Sequence, residues 1–217
     1  MHKEMGDARE AAHSARAFLT EHQTGPGAVA AGLILAELAL EAARPFEALA
    51  AVARAEQSDR TGAEHFAIER LYALTYRDLQ LPGRALPHFE RALSLSADQK
   101  ARQEVASIAA RVAFDDEQYE VARKYFDLWR QAGGPVARSL LGAATCFFKE
   151  GRSPRALELL QTGLQQCDDA SAKEALLALI GEIHERTGDF EGAARAFSGG
   201  SEHELDADDP RTHTGSR

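Results

Sequence analysis

The chain has 217 residues, 44% of them apolar, and a formal net charge of −9. It is long enough to bury a substantial core, and its acidity argues against nucleic acid or an anionic membrane surface as the main partner. Alanine, leucine, glutamate and arginine dominate, and no alternating β-branched run occurs, so the composition excludes a sheet-based fold and points to an all-α protein.

In chain order, residues 1–21 read as one helix, and 1–26 are expected to form an amino-terminal cap or the remnant of a helix pair. Residues 1–9 are charged with no apolar stretch behind them, so no signal peptide is expected. The nearly uncharged run 25–40, broken by Glu37, is too short to span a bilayer. Pairs of helices separated by short turns follow: 27–42 with 45–57, 63–79 with 82–95, 98–114 with 117–131, 136–149 with 153–167, and 171–186 with 189–197. Breakers mark the turns inside the pairs, at Arg44-Pro45, Leu81-Pro82-Gly83, Asp115-Asp116, Gly151 to Pro154, and Gly188-Asp189. Others separate the pairs, at Ser58-Asp59, Ser96 to Asp98, Gly133 to Pro135, and Asp168-Asp169. Cys146 and Cys167 are too few for a disulfide framework and fall inside expected helices; they read as buried free thiols of a reducing, cytoplasmic setting. The last stretch, with Glu202, Glu204, Asp206, Asp208 and Asp209 and almost nothing apolar, is expected to be a disordered acidic tail over 201–217.

The pairs keep time with one another. Ala11, Ala48, Ala85, Ala122, Ala156 and Ala193 are spaced by 37, 37, 37, 34 and 37 residues. Twelve residues before these anchors come Ala36, Ala73, Ala110, Ala144 and Gly181, all small, and four residues after come Ala15, Val52, Phe89, Phe126, Leu160 and Phe197, mostly large. Small side chains let helix backbones approach and large ones fill the space beside them, so the sorting by size predicts stacked helical repeats.

Small residues and rings at these fixed offsets, with Gly188-Asp189-Phe190-Glu191-Gly192-Ala193 and Gln118-Tyr119-Glu120-Val121-Ala122 at the turns, resemble the tetratricopeptide repeat. The likeness covers about five units over 27–200 plus the amino-terminal helix, a repeat domain followed by the tail. Most units exceed the family's common 34 residues by three, expected in longer helices or inter-unit loops, and Trp129 sits where the family usually has a small residue. The resemblance implies a right-handed α-solenoid whose first helices line a concave groove for a peptide or partner protein. In that register the groove positions lie 18, 15, 11 and 8 residues before each anchor, and its middle concentrates Arg70, Arg77, Arg111 and Arg138 around Leu74, Phe114 and Phe148. Arginines among apolar anchors suit an acidic-hydrophobic segment. The chain contains no asparagine, so the lysine–asparagine clamp that some relatives use on chaperone tails is absent in that form.

Nothing in the sequence suggests chemistry. The histidines are scattered, no Cys-x-x-Cys occurs, and Gly133-Gly134 lacks the lysine and preceding strand of a phosphate loop, so no enzyme, metal or cofactor is expected. The expected role is a cytoplasmic protein-interaction scaffold. Two alternatives stay open: a regulatory sensor of a small peptide or metabolite, and self-assembly through the solenoid ends, near Phe18 and Phe197.

Overall fold

The computed structural model describes residues 2–96 and 98–199, with side chains from Asp7 onward; the tail expected over 201–217 lies outside the described residues. Among the described residues there are eleven α-helices and no strand. The chain divides into two compact units, Met1–Gly134 and Pro135–Arg217.

The first unit contains α1 (His2–Glu21) and three helix pairs: α2 (Pro26–Glu41) with α3 (Pro45–Ser58), α4 (His65–Asp78) with α5 (Pro82–Leu95), and α6 (Gln99–Asp115) with α7 (Tyr119–Gln131). The second contains α8 (Val136–Lys149) with α9 (Ser153–Gln165), and α10 (Ala170–Thr187) with α11 (Phe190–Phe197). Helix ends match the sequence reading to within about two residues. The later start of α4 has a local cause. The Asp59 carboxylate accepts from the Thr61, Gly62 and Glu64 amides and the Thr61 hydroxyl, tying 59–64 into a capped loop. Partial burial raises the Asp59 pKa, but those donations outweigh it and hold the carboxyl below its usual value. That loop takes up extra residues of its unit, while α6 and α10 run to 17 and 18 residues against 14 in α4 and α8.

Every pair turns the corner in the same way. Ala43, Gln80, Glu117, Gly151 and Gly188 have φ of 53°, 57°, 58°, 75° and 81°, so one left-handed residue recurs five positions before each anchor. The next amide then reaches back to close the first helix, Arg44 to Ala39, Leu81 to Tyr76, Gln118 to Ala113, Arg152 to Phe147 and Asp189 to His184, at 2.8–2.9 Å. This is the six-to-one hydrogen bond of a Schellman ending.

The alanine ladder is the seam of each pair. Ala48, Ala85, Ala122, Ala156 and Ala193 are 0–5% exposed. Ala11 departs from this and is exposed, because no first helix covers α1 among the described residues. In the first unit Ala15 and Leu19 of α1 pack with Ala28 and Ala31 of α2, while Ala36, Val52, Ile68, Leu71 and Tyr72 join the first pair to α4. In the second unit Leu160, Leu176, Ile180 and Ile183 form the centre of one apolar cluster. Small meets ring at α10 and α11, where a Cβ on Gly181 would strike the Phe197 ring. Trp129 folds back in the same manner over the Gly134 backbone.

Candidate functional site

The sequence places the candidate positions on the first helices of the pairs, and one ion-pair cluster bears directly on that register. The Arg70 guanidinium on α4 reaches Glu104 of α6 at 2.8 Å and Glu37 of α2 at 3.6 Å. These residues occupy three of the expected groove positions in three successive pairs, so within the first unit α2, α4 and α6 present those positions on a shared, half-exposed face.

Along α4, Leu74 lies one turn after Arg70 and is only 8% exposed, so it serves the core more than the surface. Arg77, in the last turn, holds Asp78 through Nε and Nη2, both at 2.7 Å. It also lines an open cleft of about 410 Å³ with Gln80, Pro82, Val112, Asp115 and Asp116. On α6, Arg111 is exposed and has no ion pair among the described residues. One turn later Phe114 is half-buried and meets Tyr119 edge-on, with ring centroids 5.6 Å apart. Arg138 and Phe148 belong to the second unit. There Arg138 is exposed without an ion pair among the described residues, whereas Phe148 is 4% exposed beneath the Arg186 guanidinium, 4.5 Å from its ring centre.

The four candidate arginines therefore differ in state. Arg70 and Arg77 are already engaged by carboxylates, while Arg111 and Arg138 offer open guanidinium groups. Of the apolar candidates, Phe114 keeps the most accessible ring surface.

A second network went unread in the sequence. The Tyr72 hydroxyl donates to Glu56 at 2.7 Å, and burial together with that carboxylate raises its pKa well above the phenol's usual value. The His88 ring stacks on Tyr72 and Tyr76 at 4.9 and 5.3 Å, and its Nδ1 lies 2.6 Å from Glu69. Arg91 Nη2 lies 2.7 Å from the same nitrogen, and one ring nitrogen cannot serve both. Nδ1–H donates to the Glu69 carboxylate, and Arg91 joins through its Nε, 2.9 Å from Glu69. The spacing of Glu69, Tyr72 and Tyr76 on one helix face carried the signal, but their partners lie in neighbouring helices. The network fastens α4 to α3 and α5. Among the described residues no cluster of histidine, cysteine or carboxylate side chains could hold a metal ion, and no helix is long and apolar enough to cross a membrane.

No protein-family model matches the chain. Solved structures do. MamA from Desulfovibrio magneticus RS-1 superposes with a TM-score of 0.61 at 16% identity, covering 78% of this chain and 91% of that one. PilF of Pseudomonas aeruginosa gives a TM-score of 0.61 at 16% identity, over 90% and 83% of the two chains. The fold is that of the tetratricopeptide-repeat proteins. This repeat fold also superposes on BtubC from P. vanneervenii with a TM-score of 0.61 at 17% identity, over 100% of this chain and 97% of that one. In sequence, 63 residues are 38% identical to the type IV pilus assembly protein PilF of Pseudomonas aeruginosa, a match spanning 29% of this chain and about a quarter (24%) of that protein.

Proposed function

We propose that the chain is a protein-interaction scaffold that holds an acidic-hydrophobic segment of a partner along the face shared by α4 and α6. The Glu37–Arg70–Glu104 cluster carries this reading, because it sets the first helices of three pairs side by side with Arg111 open beside them. Arg111 and Arg77 supply positive charge, Phe114 supplies apolar surface, and Leu74 adds only the small part of its side chain that stays exposed. Arg138 and Phe148 are the corresponding elements of the second unit. A guanidinium without a carboxylate can take a partner's acid at no cost in broken ion pairs, which favours Arg111 and Arg138 over Arg70 as charge donors. The local likeness to a protein named for pilus assembly agrees with a scaffolding role.

A labelled peptide alternating glutamate with leucine and phenylalanine tests this reading. The double reversal Arg77→Glu with Arg111→Glu should weaken its binding about tenfold or more, on the scale of one or two charge-assisted contacts. Circular dichroism should stay that of the parent, since both side chains are at least partly exposed. Unchanged affinity in a folded variant would remove these residues from the site.

A further inference from the structure

Charge on the face shared by α2, α4 and α6 changes sign twice along α6. In the first two turns of α6, Glu104 reaches Arg70 at 2.8 Å, and Glu37 approaches the same guanidinium from α2 at 3.6 Å. One guanidinium balances only one of the two carboxylates. The acids are also the outward members of this cluster, with side chains 55% and 52% exposed against 27% for Arg70. An approaching segment therefore meets net negative charge there. Two turns later, about 10 Å along the axis, Arg111 is exposed and has no ion pair among the described residues.

One turn beyond Arg111 the sign reverses again. Asp115 lies about 6 Å further along the axis, at the carbonyl end of α6, exposed and without an ion pair among the described residues. Asp115 and Asp116 line the cleft of about 410 Å³ together with Arg77, whose guanidinium Asp78 already holds at 2.7 Å. Asp116 accepts from the Gln118 side-chain amide at 2.6 Å, a neutral donor that leaves its charge in place. A wholly acidic segment that reaches Arg111 must therefore pass Glu104 on one side and Asp115 on the other. Like charges brought together cost affinity, whereas a base at each flank adds it.

We propose, resting on the scaffold reading above, that the α4–α6 face selects a partner segment in which one acidic residue stands between two basic ones. The acid meets Arg111. One base meets Glu37 and Glu104, the other enters the cleft beside Asp115 and Asp116, and apolar residues of the segment lie against Phe114. Glu104 and Asp115 then determine specificity through the partner's flanks rather than through its acid. An extended segment laid along α6 advances about 3.3 Å per residue and turns successive side chains to opposite faces. Bases four residues to one side of the acid and two to the other keep all three charges on one face. Those steps span about 13 and 7 Å, and the flexible lysine stem takes up the difference from the helix spacing.

The probe is a short labelled peptide of leucine and phenylalanine with one glutamate between two lysines at those steps, made in both chain directions. Its control exchanges the glutamate with a flanking lysine, so composition and net charge are equal and only the order differs. Fluorescence polarisation is read on the full chain. In one direction the ordered peptide should bind about tenfold or more tightly than its control, and more tightly than the alternating acidic-hydrophobic peptide. Glu104→Gln with Asp115→Asn keeps both side-chain shapes at exposed positions, and should bring ordered peptide and control to nearly equal affinity. Arg111→Glu should weaken the ordered peptide about tenfold. Suppose Arg111→Glu weakens binding, but order has no effect, the preference survives the double variant, or the all-acidic peptide binds best. The charge order is then overturned while the scaffold reading stands. If no peptide binds, or Arg111→Glu changes none of the affinities, both fall together.

Discussion

Thr75 is fully buried on α4, and its hydroxyl has no hydrogen-bond partner among the described residues. A buried hydroxyl left without a partner costs roughly 1–3 kcal/mol, and valine has nearly the same shape. Thr75→Val should therefore stabilise the protein by about 1 kcal/mol, read as a rise of about 2–4 °C in thermal midpoint. Ala43, Gln80 and Glu117 carry a different strain, holding the left-handed conformation that Gly151 and Gly188 adopt freely in the equivalent turns. The conformation costs an ordinary residue about 1–2 kcal/mol, offset in part by the larger entropy glycine loses on folding. Each change to glycine should gain about 0.5 kcal/mol, and the triple variant should show the sum in denaturant titrations if the three turns act independently. Asp189 adds a pH dependence. It accepts from the Gly192 amide at 2.9 Å and lies 2.8 Å from His184 Nδ1. The Gly192 donation lowers its pKa, burial opposes this, and His184 lowers it further. Its stabilising effect is complete above the unfolded carboxyl value of about 3.9 and is lost as pH falls through the lower folded value. Amide exchange in α11 should accelerate in that acid window, and Asp189→Ala should give the fast rate already at neutral pH. An α11 whose exchange ignores both changes would show that the cap is idle.

Among elements, α1 depends on few attachments. Among the described residues Leu19 is its most buried side chain, its carbonyl accepts from Arg54 of α3 at 2.7 Å, and the Ser58 hydroxyl donates to the Gln23 carbonyl at 3.2 Å. Leu19→Ala should cost about 2–4 kcal/mol, and hydrogen exchange should show that loss in α1 ahead of α4 and α6. The pairing itself was legible in the sequence because helix seams sort side chains by size. Ala48, Ala85, Ala122, Ala156 and Ala193 reveal this without coordinates, and the breakers at Pro45, Pro82 and Ser153 fix the corners. The left-handed corner was legible only at Gly151 and Gly188. Ala43, Gln80 and Glu117 give no local sign of it, because the closing hydrogen bonds and the helix behind them impose it.

In the molecule as a whole, the candidate face was legible in outline and less so in energetics. The register that the resemblance implies brought Glu37, Arg70 and Glu104 to a common face, yet their mutual neutralisation depends on side chains meeting across three helices. Leu74 and Phe148 read as surface anchors by register, but neighbouring helices and Arg186 cover them. Open charge, rather than register alone, is the reason for proposing Arg111 and Arg138 as the charge donors. The account is tested most directly by mapping amide and arginine side-chain shifts as the acidic-hydrophobic peptide is added to the full chain. It predicts changes at Arg77, Arg111 and Phe114 on the α4–α6 face, with the Arg111 guanidinium signal among the largest. Shifts concentrated on α3, α5 and α7, with Arg111 unmoved, would contradict it.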